Sequence, residues 1–171
     1  MVFAGRAVGT NVQDIFFKEI GPWNWHYDDG GIVGATASRR IATLFQILDI
    51  EAEVGAAKRF GNMDEGEVWG AMYVRFTDFP WNDYLYTTLA LSTGLNYATG
   101  ISDFEKQASE LNPPGETHVL HYFSPELTFA LPDHKDRQLV LRLHHRSGAY
   151  GIVSGAFSGA SYLTVGLRAW F

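Results

Sequence analysis

The sequence has no cysteine, which excludes disulfide bonds, thiolate catalysis and cysteine-ligated metal sites. It also has no run of about 18 apolar residues, so no membrane-spanning helix is expected. A formal net charge of -6 argues against broad attraction to nucleic acid. Charged residues make up only 19% of the chain, whereas aromatic residues reach 15% and glycine occurs 18 times. No glycine-rich phosphate-binding loop stands out among these glycines.

The last quarter of the chain, from Gln138 to Phe171, has the clearest strand pattern. Aliphatic residues recur at every second position from Leu139 and again from Leu163, with mostly polar, charged or small residues between them. A period of two predicts half-buried β-strands. Two polar residues depart from this pattern, because His145 and Ser147 fall on the aliphatic face.

Eight segments of this kind predict an all-β chain with one domain over residues 1–171. The predicted strands cover residues 3–20, 32–45, 47–60, 67–79, 84–99 and 117–131, and the last two begin at Gln138 and Tyr162. An amphipathic helix over Val12 to Ile20 is the alternative within the first segment, and Gly21 to Gly31 is predicted to be a loop. Weak alternation at Arg39-Arg40 predicts a bulge or an early strand end. Pro125 predicts an irregularity in the sixth strand, because proline lacks the N–H that a ladder needs.

The connections between these segments alternate in length. Short turns are expected near Gln46, Asn82 and His134, and longer loops around Trp25, Asp64, Glu110 and Gly155. Outer-membrane barrels have short periplasmic turns and long outer loops. The pattern therefore favours an eight-stranded antiparallel up-and-down transmembrane β-barrel. A soluble ligand-binding β-barrel with the two faces reversed is the alternative.

Charged residues are expected on the face opposite the aliphatic stripe. In a membrane barrel that face lines the interior, where acids and bases can pair. The residues concerned are Glu51, Glu53, Arg75, Glu126, Arg142, His144, Arg146 and Arg168. The leucines and other aliphatics opposite them would contact lipid: Leu48, Ile50, Val54, Leu89, Leu91, Leu141, Leu143, Leu163 and Leu167.

His145 and Ser147 are the main candidates for chemistry. Residues i and i+2 of a strand point the same way, so the imidazole and the hydroxyl are neighbours. A hydroxyl needs an adjacent base to become a nucleophile. In a membrane barrel the pair faces lipid near the outer end of its strand, which suits a lipid substrate.

A His-x-Ser pair on the outward face of the next-to-last strand, in a barrel chain ending in Trp170-Phe171, resembles the PagL-type lipid A deacylases. The resemblance covers mainly Leu141 to Phe171. It implies an outer-membrane esterase that removes an acyl chain from lipid A, with Ser147 as nucleophile and His145 as general base. Lipid A or another outer-leaflet lipid would be the partner, and no cofactor is expected. The implied location is the bacterial outer membrane. The resemblance therefore also implies a precursor with a signal segment, and we expect that Met1 replaces that segment in this sequence.

The chain departs from the family motif at two positions. Gly148 stands where the family has asparagine, and the position of the family's acid falls near Ser161. No carboxylate occurs between Ser147 and Phe171, so the third member of the catalytic triad is missing. A turn near His134 would place His121 opposite Ser147, and two imidazoles would then flank one hydroxyl. Alternatively, His121 and His145 are interfacial residues with their polar tips near lipid headgroups.

Two further hypotheses remain open from the sequence. The missing acid favours a non-catalytic outer-membrane barrel with a structural or interaction role. Four acidic loop residues, Asp28, Asp29, Asp64 and Glu65, have the oxygen ligands that a divalent cation prefers. Solvated loop charges are the commoner explanation of such residues, and we expect no metal.

Overall fold

A computed structural model describes residues 1–18, 21–61, 64–100, 117–149, 153 and 159–170. They form one nine-stranded sheet, made of β1 (Val2–Val8), β2 (Tyr27–Leu44), β3 (Leu48–Gly61), β4 (Gly66–Phe76), β5 (Tyr86–Ala98), β6 (Val119–Phe123), β7 (Glu126–Ala130), β8 (Arg137–Ser147) and β9 (Ser161–Ala169). A short helix, α1 (Val12–Phe17), follows β1, and single 3-10 turns lie at Pro22–Asn24 and Pro132–His134. Within the described ranges, no helix is long and apolar enough to cross a membrane.

The antiparallel sheet closes on itself as a ring, because β1 pairs with both β2 and β9. Strands β6 and β7 share one place in the ring, between β5 and β8. The all-β antiparallel prediction is confirmed, but the predicted sixth strand is two strands. The break falls at Pro125, as predicted, since proline cannot donate to the ladder. Its carbonyl still accepts a hydrogen bond of 3.0 Å from the N–H of Leu143.

The segment after β1 folds as a helix. The predicted first strand is wrong beyond Val8, and the helical alternative is confirmed over Val12–Phe17. Asn11 caps α1, because its side-chain oxygen accepts a hydrogen bond of 2.9 Å from the N–H of Gln13. β2 then begins at Tyr27, so the predicted loop is shorter than expected.

The two edges of the ring differ. The predicted short turns near Gln46, Asn82 and His134 lie at one edge, which we call the turn edge; the opposite edge is the loop edge. Phe45 and Gln46 have φ of 53° and 63°, the signs that a type I′ hairpin turn requires. The bulge expected in β2 lies between Arg40 and Ala42. The loops expected around Glu110 and Gly155, and Phe171, lie outside the described residues.

Glu126 on β7 lies at the centre of an ion-pair network inside the ring. Its carboxylate accepts hydrogen bonds from Arg75 (2.7 Å), Arg142 (2.5 Å) and Arg168 (2.7 Å). These arginines come from β4, β8 and β9, so one buried carboxylate connects strands from several places in the ring.

Several other interior charges are also paired. Arg75 also binds Glu51, Arg142 also binds Glu53, Arg59 binds Glu67, and His144 contacts Glu67. The predicted inward orientation of the charges is confirmed, since all of them are buried. The role of His144 as an internal partner is also confirmed. Around these pairs an interior cluster of aromatic and aliphatic residues includes Phe3, Trp69, Tyr73, Tyr122 and Tyr162.

The outer face of the ring is apolar. Of the residues predicted to point outward, Val54, Leu89, Leu91 and Leu167 are exposed, and Leu48, Ile50, Leu141 and Leu163 are half-buried. Leu143 also lies on the outer face, but its predicted exposure is wrong: it is only 6% exposed because Ile15 of α1 packs against it. Large exposed aromatics lie toward both edges: Phe17, Trp23, Phe60 and Tyr97 near the loop edge, and Phe45, Trp81 and Tyr84 near the turn edge.

Candidate functional site

His145 and Ser147 lie on the outer face at the end of β8 that points to the loop edge. They alternate with His144 and Arg146, whose side chains are fully buried inside the ring. Strand pairing places Ser147 directly opposite His121 on β6, which confirms the predicted register. On the other side, His145 is paired with Ser161 on β9. The four side chains thus form one polar cluster on an apolar surface.

Ser161 holds the imidazole of His145. Its Oγ is 2.8 Å from Nδ1, on the side where the family resemblance places an acid. When Ser161 accepts a hydrogen bond from Nδ1–H, the lone pair of the neutral imidazole is on Nε2. Among the described residues, Nε2 has no hydrogen-bond partner. It is therefore available as a base on the face that it shares with Ser147.

The hydroxyl of Ser147 forms no hydrogen bond with His145 among the described contacts. Catalytic hydrogen bonds often tighten only when substrate binds, so this geometry is compatible with a nucleophile and base. Accessibility distinguishes the two serines. Ser161 is 6% exposed, whereas Ser147 is half-buried. A nucleophile must reach a carbonyl carbon, which favours Ser147 as nucleophile and Ser161 as the residue that orients His145.

His121 contacts Thr93, a residue that sequence analysis did not indicate as part of the site. Its Nε2 is 2.9 Å from the hydroxyl of Thr93 on β5, whereas Ser147 lies on the opposite neighbour, β8. His121 therefore lies beside Ser147 with one ring nitrogen already engaged by Thr93. A signal was present in the sequence: Thr93 interrupts the aliphatic stripe of β5 in the way that His145 interrupts that of β8.

Gly148 follows Ser147 directly and lies outside β8. Its carbonyl accepts a hydrogen bond of 3.2 Å from the N–H of Val153. Because glycine has no side-chain donor, stabilisation of an oxyanion at this position has to come from backbone N–H groups. The next residue, Ala149, has a φ of 50°, so the backbone turns sharply just beyond Ser147.

Helix α1 covers one side of this cluster. Ile15 is buried against Leu143, with Leu163 packed beside them, and the Phe16 ring lies 6.2 Å from the ring of Phe123. Phe123 is the residue directly opposite His145. Apolar side chains of α1 therefore cover the site over β8 and over Phe123 of β6.

Replacing Ile15 with Ala should detach α1 from the ring. Truncating a buried isoleucine costs about 2–5 kcal/mol, and a helix of this length is unstable without tertiary packing. Hydrogen–deuterium exchange in detergent should show faster exchange of the α1 amides, with the strands unchanged. Phe17→Ala, at a residue 84% exposed, is the matched control. Unchanged exchange in Ile15→Ala would contradict this packing role.

The acidic loop residues lie near basic side chains. In the part of the chain that the structure describes, no group of three or more metal-ligating side chains could hold an ion. Each acid is near a base instead: Asp28 with His26, Asp29 with Arg6, Asp64 with Lys58 and Glu65 with Arg59. Contacts with nearby basic side chains therefore account for these carboxylates.

Comparison of the chain with protein-family models, curated proteins and solved structures finds no match. Assignment of a function therefore depends on the residues themselves and on their geometry.

Proposed function

We propose that this chain is an outer-membrane β-barrel that hydrolyses an ester-linked acyl chain of lipid A. The observation that carries the proposal is the imidazole of His145, held by Ser161 at 2.8 Å beside the half-buried hydroxyl of Ser147. This cluster lies on an apolar outer face, where a substrate with a long hydrocarbon chain has direct access to it.

The distribution of polarity supports a membrane location. Buried acids and bases form ion pairs inside the ring, and many aliphatic side chains are exposed on its outside. A soluble barrel requires the opposite arrangement, with aliphatics inside and charges in water. On a lipid-facing surface an arginine or lysine at the bilayer midplane costs about 2–4 kcal/mol, which gives this segregation a physical reason. The exposed aromatics toward both edges match the girdles of membrane barrels.

The loop edge corresponds to the outer surface in this orientation. Outer-membrane barrels have their short turns on the periplasmic side, and the turns near Gln46, Asn82 and His134 share one edge. Ser147 and His145 lie toward the other edge. Their position is that of the outer leaflet near the headgroups, where ester bonds between acyl chains and sugars lie.

The proposed reaction is acyl transfer in two steps. Ser147 Oγ attacks the acyl carbonyl carbon while Nε2 of His145 takes its proton, and the resulting imidazolium returns a proton to the departing alkoxide of the lipid. The acyl group is now on Ser147. His145 then removes a proton from water, which attacks the acyl carbon. The imidazolium returns this proton to Ser147 Oγ as the bond between Oγ and the acyl carbon breaks, and a fatty acid is released. Ser161 keeps the imidazole in the productive tautomer throughout.

Replacing Ser161 with Glu should raise the rate of acyl release by about tenfold or more. A carboxylate stabilises the imidazolium that forms during the reaction, and a charged hydrogen bond is roughly twice as strong as a neutral one. The measurement is fatty acid released from purified lipid A in detergent. Ser161→Gln has the same size without the charge and should give no increase. An equal gain in both variants, or none in either, would contradict the orienting role.

A non-catalytic barrel is the second candidate. It is favoured by the missing carboxylate and by the absence of a hydrogen bond between His145 and Ser147 in the described contacts. The same assay separates the two functions. Release by wild-type protein no faster than the detergent blank would support the structural role.

A further inference from the structure

Helix α1 lies against the outer face of the ring, beside the polar cluster. Its buried side chain, Ile15, packs with Leu143, and the ring of Phe16 lies 6.2 Å from the ring of Phe123. Leu163 packs against the same apolar group as Ile15. The apolar contacts of this helix therefore extend over β6, β8 and β9.

The strand register places these contacts directly beside the candidate site. Leu143 is the next outward residue from His145 toward the turn edge, and it faces Leu163 on β9. Phe123 faces His145 from β6. A hydrocarbon chain that extends from Ser147 toward the middle of the apolar band therefore crosses the surface that α1 covers.

Apolar side chains attach α1 to the ring, whereas polar contacts organise the helix itself. Ile15 is 9% exposed, and Phe16 beside it is 48% exposed. Asn11 caps the N-terminus, and Lys18 pairs with Asp14 at 3.0 Å. Because these polar partners belong to the same short segment, their contacts move with the helix.

Lipid weakens the attachment of α1 to the ring. Burial of Ile15 against Leu143 is favourable because it removes apolar surface from water. Hydrocarbon chains are as apolar as these side chains, so a lipid chain that takes the place of Ile15 keeps Leu143 covered. A helix of this length is also only marginally stable without its tertiary packing. Displacement of α1 by a hydrocarbon chain therefore costs little free energy.

We propose that α1 is a lid over the candidate site, and that an arriving hydrocarbon chain displaces it from Leu143 and Phe123 before the chain reaches Ser147. A small molecule at Ser147 does not extend over Leu143, whereas a long chain does. The lid therefore acts on long chains alone. This inference rests on the proposed function for the position of the site, and it adds a gate that the chemistry of hydrolysis does not itself require.

A thiol at position 147 reports on the lid without any need for turnover. The chain has no cysteine, so Ser147→Cys introduces a single thiol, whose alkylation rates with N-dodecylmaleimide and N-ethylmaleimide are measured in detergent. Adding Ile15→Ala should raise the rate with the dodecyl reagent by about tenfold or more, because it removes the packing of a buried isoleucine. The rate with the ethyl reagent should not change. Phe16→Ala should act in the same direction, and Phe17→Ala, at an exposed position, should change neither rate.

Two results would overturn the lid. One is a rate with the dodecyl reagent that stays at the value of the Ser147→Cys parent in both Ile15→Ala and Phe16→Ala. The other is an equal rise for both reagents, which would indicate general loosening of the end of β8 instead of a gate on long chains. Because the readout is alkylation, a wild-type protein that released no fatty acid would refute the proposed hydrolysis, and the alkylation rates would still decide whether α1 is a lid.

Discussion

Replacing Ser147 with Ala should lower the rate of acyl release by at least about 10³-fold, because removing the nucleophile of such a site leaves only binding and oxyanion stabilisation. His145→Ala should have nearly the same effect, since an unactivated serine hydroxyl is a weak nucleophile. The fold should be unaffected. The side chain is small, points outward and forms no hydrogen bond with the described residues.

The matched control for this loss is Ser38→Ala. Ser38 is a half-buried serine on β2, a strand that pairs with β1 and β3 rather than with β8. Both variants should melt at the temperature of wild type, and only Ser147→Ala should lose activity. Equal rates for wild type and Ser147→Ala would exclude this serine as the nucleophile.

Replacing Glu126 with Gln should destabilise the ring by about 3–5 kcal/mol, the cost of breaking a buried ion pair. The amide keeps the shape of the side chain but removes the charge that three arginines share. Arg75 and Arg142 retain Glu51 and Glu53 as partners. Arg168 loses the carboxylate at 2.7 Å and keeps a hydrogen bond of 3.4 Å to Gln138. We expect a large loss of stability because Arg168 is a buried cation and would be left with only this weaker partner.

Urea unfolding in detergent or lipid vesicles measures this loss. Asp136→Asn makes the same chemical change at an exposed acid that pairs weakly with Arg137 at 3.7 Å, and it should alter the free energy of unfolding by less than about 0.5 kcal/mol. Comparable stability of Glu126→Gln and Asp136→Asn would mean that the interior network contributes little.

The face on which each strand residue lies was predictable, because side chains along a strand alternate between the two faces of the sheet. Once Leu139 and Leu141 define one face, Arg142 and His144 must lie on the other. The register of β6 against β8 was predictable for a related reason. The short turn near His134 fixes which residues face each other, so His121 had to lie opposite Ser147.

Contacts between distant parts of the chain could not be predicted in this way. Arg142 binds Glu53 across the ring over 89 residues, and alternation indicates only that both point inward. The burial of Leu143 depends on α1, whose position follows from tertiary packing and not from local pattern. The partner of His121 depends on the register between β5 and β6, which are separated by a long connection that fixes no pairing.

The site was partly predictable. The spacing His-x-Ser put His145 and Ser147 on one face, and the family resemblance implied an acid near Ser161, a position at which the sequence has no carboxylate. The hydrogen bond between Ser161 and His145 is seen only in the structure, because an uncharged serine at this position does not suggest an orienting role. This hydrogen bond explains how the imidazole of His145 can be held in one orientation without a carboxylate partner.

Mass spectrometry of lipid A from cells that produce the protein tests the central claim most directly. Cells with wild-type protein should contain lipid A that is lighter by one ester-linked acyl chain, and cells with Ser147→Ala at the same outer-membrane level should contain the full-length species. Identical lipid A in both, with both proteins folded in the outer membrane, would contradict the proposed deacylase.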